Sequence, residues 1–142
     1  MEIYAKKLTE LLKTSGYSIT APRKVVFEVL YSFGLQSMSQ LVERCKTIDR
    51  ASVYRSVDVL EKVGAIVRVP QGLRYNLELS DTFLPHHHHI LCIKCGQQTE
   101  IEQSALEKLL TSIAADLNYS LTAHKLELQG ICTKCHATTT KP

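Results

Sequence analysis

Two pairs of cysteines constrain this chain more than any other feature. Cys92 and Cys95 form one C-x-x-C pair, and Cys132 and Cys135 form another. Each pair can supply two thiolates to one edge of a metal tetrahedron, so the spacing predicts a closed, structural tetrathiolate zinc site. A redox pair or disulfides are weaker interpretations, because neither pair is expected to open a thioredoxin-like helix and nothing marks the N-terminus for export from a reducing cytoplasm. The C-x-x-C-H pattern ending at His136 matches c-type haem attachment, but that chemistry belongs outside the cytoplasm.

Length and composition limit the class of protein. The chain has 142 residues, of which 44% are hydrophobic and 22% charged, so it suits one ordinary domain or two small ones and excludes a large multidomain enzyme. No apolar run is long enough to span a bilayer, so no membrane partner is expected. Residues 1–80 carry 12 Lys or Arg against 8 Asp or Glu, whereas residues 81–142 carry 5 against 6. This basic excess in the first half suits a nucleic-acid partner.

Apolar residues three and four positions apart predict four helices within the first 64 residues. Good N-caps precede the second, third and fourth helices, namely Thr20, Ser37 with Gln40 in a capping box, and Asp49. Glycines 16, 34 and 64 mark helix ends. Cys45 is interpreted as a small buried hydrophobic residue. The other side chains predicted to face the core are Tyr4, Leu8, Leu11, Leu12, Val25, Val26, Val29, Leu30, Phe33, Leu41, Val42, Val53, Val57, Leu60 and Val63.

A β-hairpin is predicted directly after the fourth helix, with strands on either side of a turn at Pro70-Gln71-Gly72. Helices followed by such a hairpin describe a winged helix-turn-helix, in which the last helix enters the DNA major groove. The face of that helix opposite its apolar residues carries polar and basic side chains that can contact bases or phosphates. The predicted DNA-binding residues there are Arg50, Ser52, Tyr54 and Arg55, beside Asp58, although a solvated helix face is the plainer alternative for any one of them.

A second domain is predicted from about residue 81, as a small α/β unit with a helix over residues 105–117 and a strand within residues 119–131. The helix is predicted to turn inward Leu106, Leu109, Leu110, Ile113 and Leu117. Four consecutive histidines, residues 86–89, are expected to begin a strand. Because side chains alternate along a strand, His86 and His88 would face one way and His87 and His89 the other, each pair close enough to share a metal.

These motifs together resemble those of the ferric uptake regulator family of metal-dependent DNA-binding repressors. The matching segments are T-A-P-R at 20–23, A-S-V-Y-R at 51–55, H-H-H-H-I-L-C-I-K-C-G at 86–96 and H-K-L-E-L-Q-G-I-C-T-K-C at 124–135. The resemblance implies an α+β fold, with an N-terminal winged helix-turn-helix DNA-binding domain over residues 1–80. It implies a metal-binding dimerisation domain over residues 81–142, a homodimer on a palindromic operator, and Arg23 as a further DNA contact.

The resemblance also implies two metal sites besides the structural zinc. One maps to His86, His88, Glu107 and His124, although Glu107 has an alternative role in a capping box with Ser104. Three imidazoles and a carboxylate suit zinc and accept ferrous iron.

The other implied site, the sensory one, maps only in part. His87 and His89 are present, but Gln36 and Asn76 stand where a histidine and an acidic residue are usual, and Glu78 or Asp81 would have to substitute.

The expected function is therefore a cytoplasmic, metal-responsive repressor with a second zinc or ferrous ion as co-repressor, zinc-uptake regulation being the leading interpretation. Two alternatives stay open. One is DNA binding with structural zinc only, and the other is a small zinc hydrolase that uses the histidines and Glu107. The hydrolase is the weaker of the two, because a catalytic zinc needs an open coordination position, whereas four protein ligands fill a tetrahedron. No enzymatic activity and no small-molecule substrate are expected.

Overall fold

The computed structural model describes residues 2–101, 104–124 and 126–137. It divides into two compact units, Met1–Pro85 and His86–Pro142. The first unit contains four helices and a hairpin, and the second contains a small sheet with two helices. This succession is the predicted α+β architecture.

The first unit contains the four predicted helices in the predicted order. They are α1 (Glu2–Thr14), α2 (Ala21–Phe33), α3 (Met38–Arg44) and α4 (Arg50–Lys62). The capping box of Ser37 and Gln40 is present in full, and Asp49 accepts a hydrogen bond from the backbone N–H of Ser52 at the start of α4. Thr20 has the extended conformation of an N-cap, but its side chain makes no capping hydrogen bond.

The core of the first unit follows the predicted periodicity with one exception. Phe33, which was expected to face inward, is 58% exposed, whereas Phe27 is buried in its place. Phe27 packs edge-on against Phe83, with ring centroids 4.9 Å apart. The apolar stripe of α2 is wide enough to allow either face, and contact with Phe83 selects the one that carries Phe27. The core residues are Leu8, Leu12, Val26, Phe27, Leu30, Leu41, Cys45, Val53, Val57, Leu60, Ala65, Ile66, Leu77, Leu79 and Phe83.

The hairpin is formed by β1 (Ile66–Gln71) and β2 (Arg74–Leu79), which pair antiparallel. Its turn lies further along the chain than predicted, because Gln71 pairs with Arg74 and only Gly72 and Leu73 form the loop. Gly72 has a φ of +60° at the first loop position, which is where glycine is favoured in a two-residue hairpin turn. Pro70 belongs to β1, which among the described residues pairs only with β2 and so has one open edge where a proline is tolerated.

The second unit contains β3 (His88–Cys92), β4 (Gln98–Ile101), α5 (Ser104–Asp116), β5 (Glu127–Gly130) and α6 (Thr133–Ala137). Its sheet has the order β4-β3-β5, in which β4 is antiparallel and β5 parallel to β3.

Several expectations for the second unit need correction. The strand begins at His88 rather than at His86, the predicted strand over residues 119–131 is reduced to β5, and His124 lies outside it. β4 and α6 were not predicted, because β4 is short and polar and α6 has only five residues. The second cysteine pair does therefore lead into a helix, although a short one.

Few apolar side chains are buried in the second unit. The buried hydrophobic residues among its described positions are Leu91 and Cys92, compared with fifteen in the first unit. The predicted inward face of α5 is only partly covered. Leu106 and Leu110 are half-buried, whereas Leu109, Ile113 and Leu117, which follows the helix end, are exposed by 56, 48 and 64%. Among the described helices, none combines the length and the apolar character that crossing a membrane requires.

Candidate metal centres and nucleic-acid interface

The four paired cysteines meet in one cluster. The Sγ atoms of Cys92, Cys95, Cys132 and Cys135 all lie within 4.8 Å of one another. The Sγ atoms of Cys95 and Cys132 are 3.7 Å apart. A zinc ion bound at about 2.3 Å to four sulfurs would separate them by about 3.8 Å, so this spacing fits a tetrathiolate.

The protonation of this cluster also favours a cation. The pKa of Cys92 is lowered to about 6, because its sulfur accepts hydrogen bonds from the backbone N–H groups of Cys132 and then of Cys95. The pKa of Cys135 is raised to about 12, because hydrogen bonds with the sulfur atoms of Cys95 and Cys132 stabilise its protonated form. Four thiolates this close repel one another, and a divalent cation at their centre removes that repulsion.

A second cluster joins residues that are distant in the sequence. His88 begins β3 and His86 lies two residues before it, Glu107 comes from the first turn of α5, and His124 from the segment before β5. One ligand atom from each lies within 4.8 Å of all the others. His88 is buried, Glu107 and His124 are half-buried, and His86 is exposed.

The contacts in this cluster run directly between ligand atoms. The Nε2 atom of His124 lies 3.2 Å from that of His86 and 3.2 Å from that of His88. Glu107 Oε1 lies 2.7 Å from His88 Nε2, 3.3 Å from His124 Nε2 and 3.6 Å from His86 Nε2. A tetrahedral ion with ligands at about 2.0–2.1 Å would separate them by about 3.3–3.4 Å, so most of these distances match the edges of such a site.

The carboxylate of Glu107 belongs to this cluster rather than to a capping box. α5 begins at Ser104 itself, so Ser104 is not the residue that precedes the helix. The pKa of Glu107 lies below its usual value, chiefly because it accepts a hydrogen bond from His88 and also because His124 and His86 are close. The group is therefore ionised at neutral pH, which is the form in which a carboxylate can bind a metal.

The remaining two histidines of the block also come together. The rings of His87 and His89 have centroids 4.9 Å apart, as the predicted alternation requires. Burial, followed by the neighbouring His87, lowers the pKa of His89 below its ordinary value, which keeps the imidazole in its neutral form. Neutral imidazole is the form that binds metal.

The other residues predicted for the sensory site lie in the first unit. Asn76 and Glu78 are on β2, and Asp81 follows it. Gln36 is only 2% exposed and is committed to the local fold, because its Oε1 accepts from Arg44 Nη1 at 2.9 Å and its Nε2 donates to the carbonyl of Gly34 at 3.2 Å. Where the resemblance would place a histidine, this chain therefore has a buried structural amide. The ligand roles of Asn76, Glu78 and Asp81 stay predictions.

The exposed face of α4 carries linked basic side chains. The Arg50 guanidinium lies over the Tyr54 ring at 5.6 Å and its Nη2 donates to the Tyr54 hydroxyl at 3.4 Å. The Arg55 Nη2 donates to the Ser52 hydroxyl at 3.2 Å. Ser52 is half-buried and the other three are exposed, so all four predicted residues lie on the side of α4 that is open to a partner.

A shallow groove connects this face to the start of α2. It is lined by Thr20, Pro22, Arg23, Ser52, Arg55 and Ser56. The Arg23 guanidinium lies 5.7 Å from the Tyr17 ring and donates to the carbonyl of Ser18. The groove therefore brings Arg23, predicted as a DNA contact only through the resemblance, beside Arg55.

Sequence reasoning did not foresee the hydrogen bonds that hold this face in place. Although a carboxylate three positions before a serine can accept a hydrogen bond from its hydroxyl, sequence reasoning assigned Asp49 to helix capping alone. It also missed the pair in which Arg68 Nε lies 2.7 Å from Glu61 Oε1, which links β1 to α4.

Comparison with known proteins assigns the family. The family model of the ferric uptake regulators matches residues 14–129. This chain belongs to the ferric uptake regulator family. Its members are metal-responsive transcriptional regulators, and that is the general function of this chain.

Individual family members resemble the chain over most of its length. The ferric uptake regulation protein of Neisseria meningitidis serogroup A is 31% identical over 135 residues, which cover 89% of this chain and 91% of that protein. The crystal structure of the Vibrio cholerae ferric uptake regulator is 31% identical, with a TM-score of 0.69, and covers 87% of this chain and 98% of its own. The Helicobacter pylori regulator, described with three functional metal binding sites, shares the fold at 24% identity, a TM-score of 0.78 and coverage of 95 and 93%.

Proposed function

We propose that this family member is a homodimeric repressor whose DNA binding depends on a second metal ion, in addition to a structural zinc. The proposed co-repressor is zinc or ferrous iron at His86, His88, Glu107 and His124. The observation that carries this proposal is the convergence of three imidazole nitrogens and one carboxylate oxygen on a single point, from three separate parts of the chain.

The donor atoms of the two clusters suit different tasks. Four thiolates form a closed site, which fits a permanently bound structural zinc at Cys92, Cys95, Cys132 and Cys135. Three imidazoles and a carboxylate suit zinc, accept ferrous iron, and release either more readily than a tetrathiolate does. The same four ligands leave no coordination position for a substrate, which argues against the zinc hydrolase.

A metal at this site would hold parts of the second unit together. Its proposed ligands lie at and just before the start of β3, in the first turn of α5 and in the segment around His124, and few buried apolar side chains among the described residues hold these parts together. When bound, a divalent cation neutralises the carboxylate and joins the three elements. We propose that this joined state is the one that binds DNA, so that the metal acts by its preference for that state. Converting a 1:99 population to 99:1 requires a preference of about 10⁴-fold.

Two further features support the division of labour between residues 1–80 and residues 81–142. The basic face of α4 with Arg23 supports operator DNA as the partner of the first part. The exposed Leu109 and Ile113 of α5, with Leu117 just after it, support the second part as the dimerisation domain, because a monomer rarely leaves such a stripe open to water. His87 and His89, with Glu78, Asp81 or Asn76, are proposed as a further, degenerate sensory site.

The test is the metal dependence of DNA binding by the full chain. Fluorescence anisotropy is measured without oxygen on DNA from upstream of its own gene, after mild chelation that spares the thiolate site, with added zinc, ferrous iron or manganese. We expect one metal to strengthen binding by at least about tenfold. Glu107→Gln and His124→Ala should remove this response while one zinc per chain is retained.

The matched control is His136→Ala, because His136 belongs neither to the two clusters nor to the His87/His89 pair. It should respond to metal as the wild type does. An unchanged response in Glu107→Gln and His124→Ala would overturn the proposed site. Equal DNA binding with and without chelation would favour the alternative in which only the structural zinc is retained.

A further inference from the structure

A chain of hydrogen bonds runs along the first two turns of α4. The Asp49 carboxylate accepts from the Ser52 backbone N–H at 2.9 Å and from the Ser52 hydroxyl at 2.6 Å. The same hydroxyl oxygen accepts from Arg55 Nη2 at 3.2 Å. The three residues are three positions apart, so their side chains follow one another on a single face of the helix.

The chemistry of the three groups fixes which atom donates in each of these hydrogen bonds. An ionised carboxylate only accepts and a guanidinium only donates, so the single hydroxyl proton of Ser52 points to Asp49 and a lone pair points to Arg55. Donation to a charged acceptor makes the hydroxyl oxygen a better acceptor in turn. Asp49 and Arg55 are six positions apart and attract each other as charges, but the hydrogen bonds that connect them run through the Ser52 hydroxyl.

The anchored guanidinium lies at the groove that also contains Arg23 and Thr20. Ser56, the other serine of the groove, is turned inward and donates to the Ser52 carbonyl at 2.7 Å. Arg55 uses one of its five N–H donors on Ser52, and the others are available for a phosphate or a guanine edge.

We propose that Ser52 is a positioning residue for DNA recognition, whose hydroxyl, anchored by Asp49, holds the Arg55 guanidinium ready for DNA. This inference rests on the proposed function and adds to it that Ser52 acts through Arg55. Holding a long side chain in its bound conformation before binding reduces the entropy lost on association.

The first test is Ser52→Ala in the full-length, metal-loaded protein. The backbone N–H of residue 52 still caps the helix against Asp49, so the fold should be retained, as a thermal unfolding scan would verify. We expect the Kd for operator DNA to rise by about three- to tenfold for each half-site, as for the loss of one hydrogen bond. The slope of log Kd against log salt should not change, because no charge is lost, whereas Arg55→Ala should reduce it by about 0.9 per phosphate contact.

The decisive test is the double variant, measured at reduced salt so that weak binding stays within range. If Ser52 acts through Arg55, Ser52→Ala should cause no further loss of affinity when Arg55 is already alanine. The single variant Ser52→Thr, which keeps the hydroxyl, should bind operator DNA with wild-type affinity.

Three results would overturn the proposal. The first is wild-type affinity in Ser52→Ala. The second is that Ser52→Ala lowers the affinity equally whether residue 55 is arginine or alanine. The third is that Ser52→Thr binds as weakly as Ser52→Ala. All three presuppose that the wild type binds its operator. Absence of wild-type binding with every metal would instead overturn the proposed function, and this inference with it.

Discussion

Removing one thiolate from the cysteine cluster should weaken zinc binding and destabilise the second unit while the first unit keeps its stability. Cys95→Ser is the most informative change, because Cys95 is exposed and contributes little to packing. Its Sγ is nevertheless 3.7 Å from that of Cys132, within the cluster. Any large effect of this substitution therefore has to come from the metal and not from a cavity.

The expected magnitude follows from comparing two stabilising terms. Full burial of a side chain such as Leu91 contributes about 1.5–3 kcal/mol, and only Leu91 and Cys92 are buried hydrophobic residues among the described positions of the second unit. A structural zinc contributes about 10–16 kcal/mol, or about 2.5–4 kcal/mol for each of four thiolates. Loss of one thiolate should therefore weaken zinc binding roughly a hundredfold to a thousandfold.

Three measurements test this reasoning. Zinc content per chain is determined by mass spectrometry, zinc affinity by competition with a chromophoric chelator, and unfolding by calorimetry. The matched control is Cys45→Ala, because Cys45 is buried in the core of the first unit. Burial raises the pKa of the Cys45 thiol, so it is a neutral apolar group. The control should keep its zinc and lose about 1 kcal/mol of stability, as for the removal of one buried methylene.

The result that would refute the reasoning is specific. If Cys95→Ser bound zinc as tightly as the wild type and the second unit unfolded at an unchanged temperature, the cluster would not hold the metal. The stability of this unit would then come from another source.

Two further predictions concern the first unit. Arg68→Ala should lower the free energy of unfolding by about 0.5–1 kcal/mol at low salt and by less at high salt, as urea titrations would measure. The effect is small because the two hydrogen bonds of Arg68 to Glu61 and its stacking 4.3 Å from the Tyr75 ring are partly exposed. Equal stability of variant and wild type at low salt would contradict this. Asp49 should titrate by NMR below its ordinary pKa, because its carboxylate accepts from the Ser52 hydroxyl and backbone N–H. Since folding lowers this pKa, the stabilisation is complete above the pKa of the unfolded chain and is lost as pH falls through the folded one; a Ser52→Ala variant in which the Asp49 pKa does not rise would speak against the hydrogen bond.

Local signals in the sequence were sufficient for the helices of the first unit and for most of its core. Helix caps such as Ser37 with Gln40, and Asp49, depend on hydrogen bonds between residues three positions apart, so the pattern alone identifies them. The burial of Leu30 and Val57 follows from periodicity for the same reason.

Prediction failed where contacts distant in sequence decide between local alternatives. The choice between Phe27 and Phe33 depends on Phe83, fifty or more positions away. β4 is a polar segment that becomes a strand through pairing with β3, where Ile101 lies opposite His88.

The sequence by itself determined that the chain carries two chelating cysteine pairs, a winged helix with a basic face, and a histidine block that presents two faces. Each of these depends on spacing within one short segment. The family resemblance implied that Glu107 and His124 join His86 and His88, but only the tertiary structure brings their ligand atoms together and shows that the Gln36 side chain is bonded to Arg44. The local sequence around a carboxylate such as Glu107 is compatible with helix capping and with metal binding alike. The choice between them depends on which distant imidazoles the fold brings within reach.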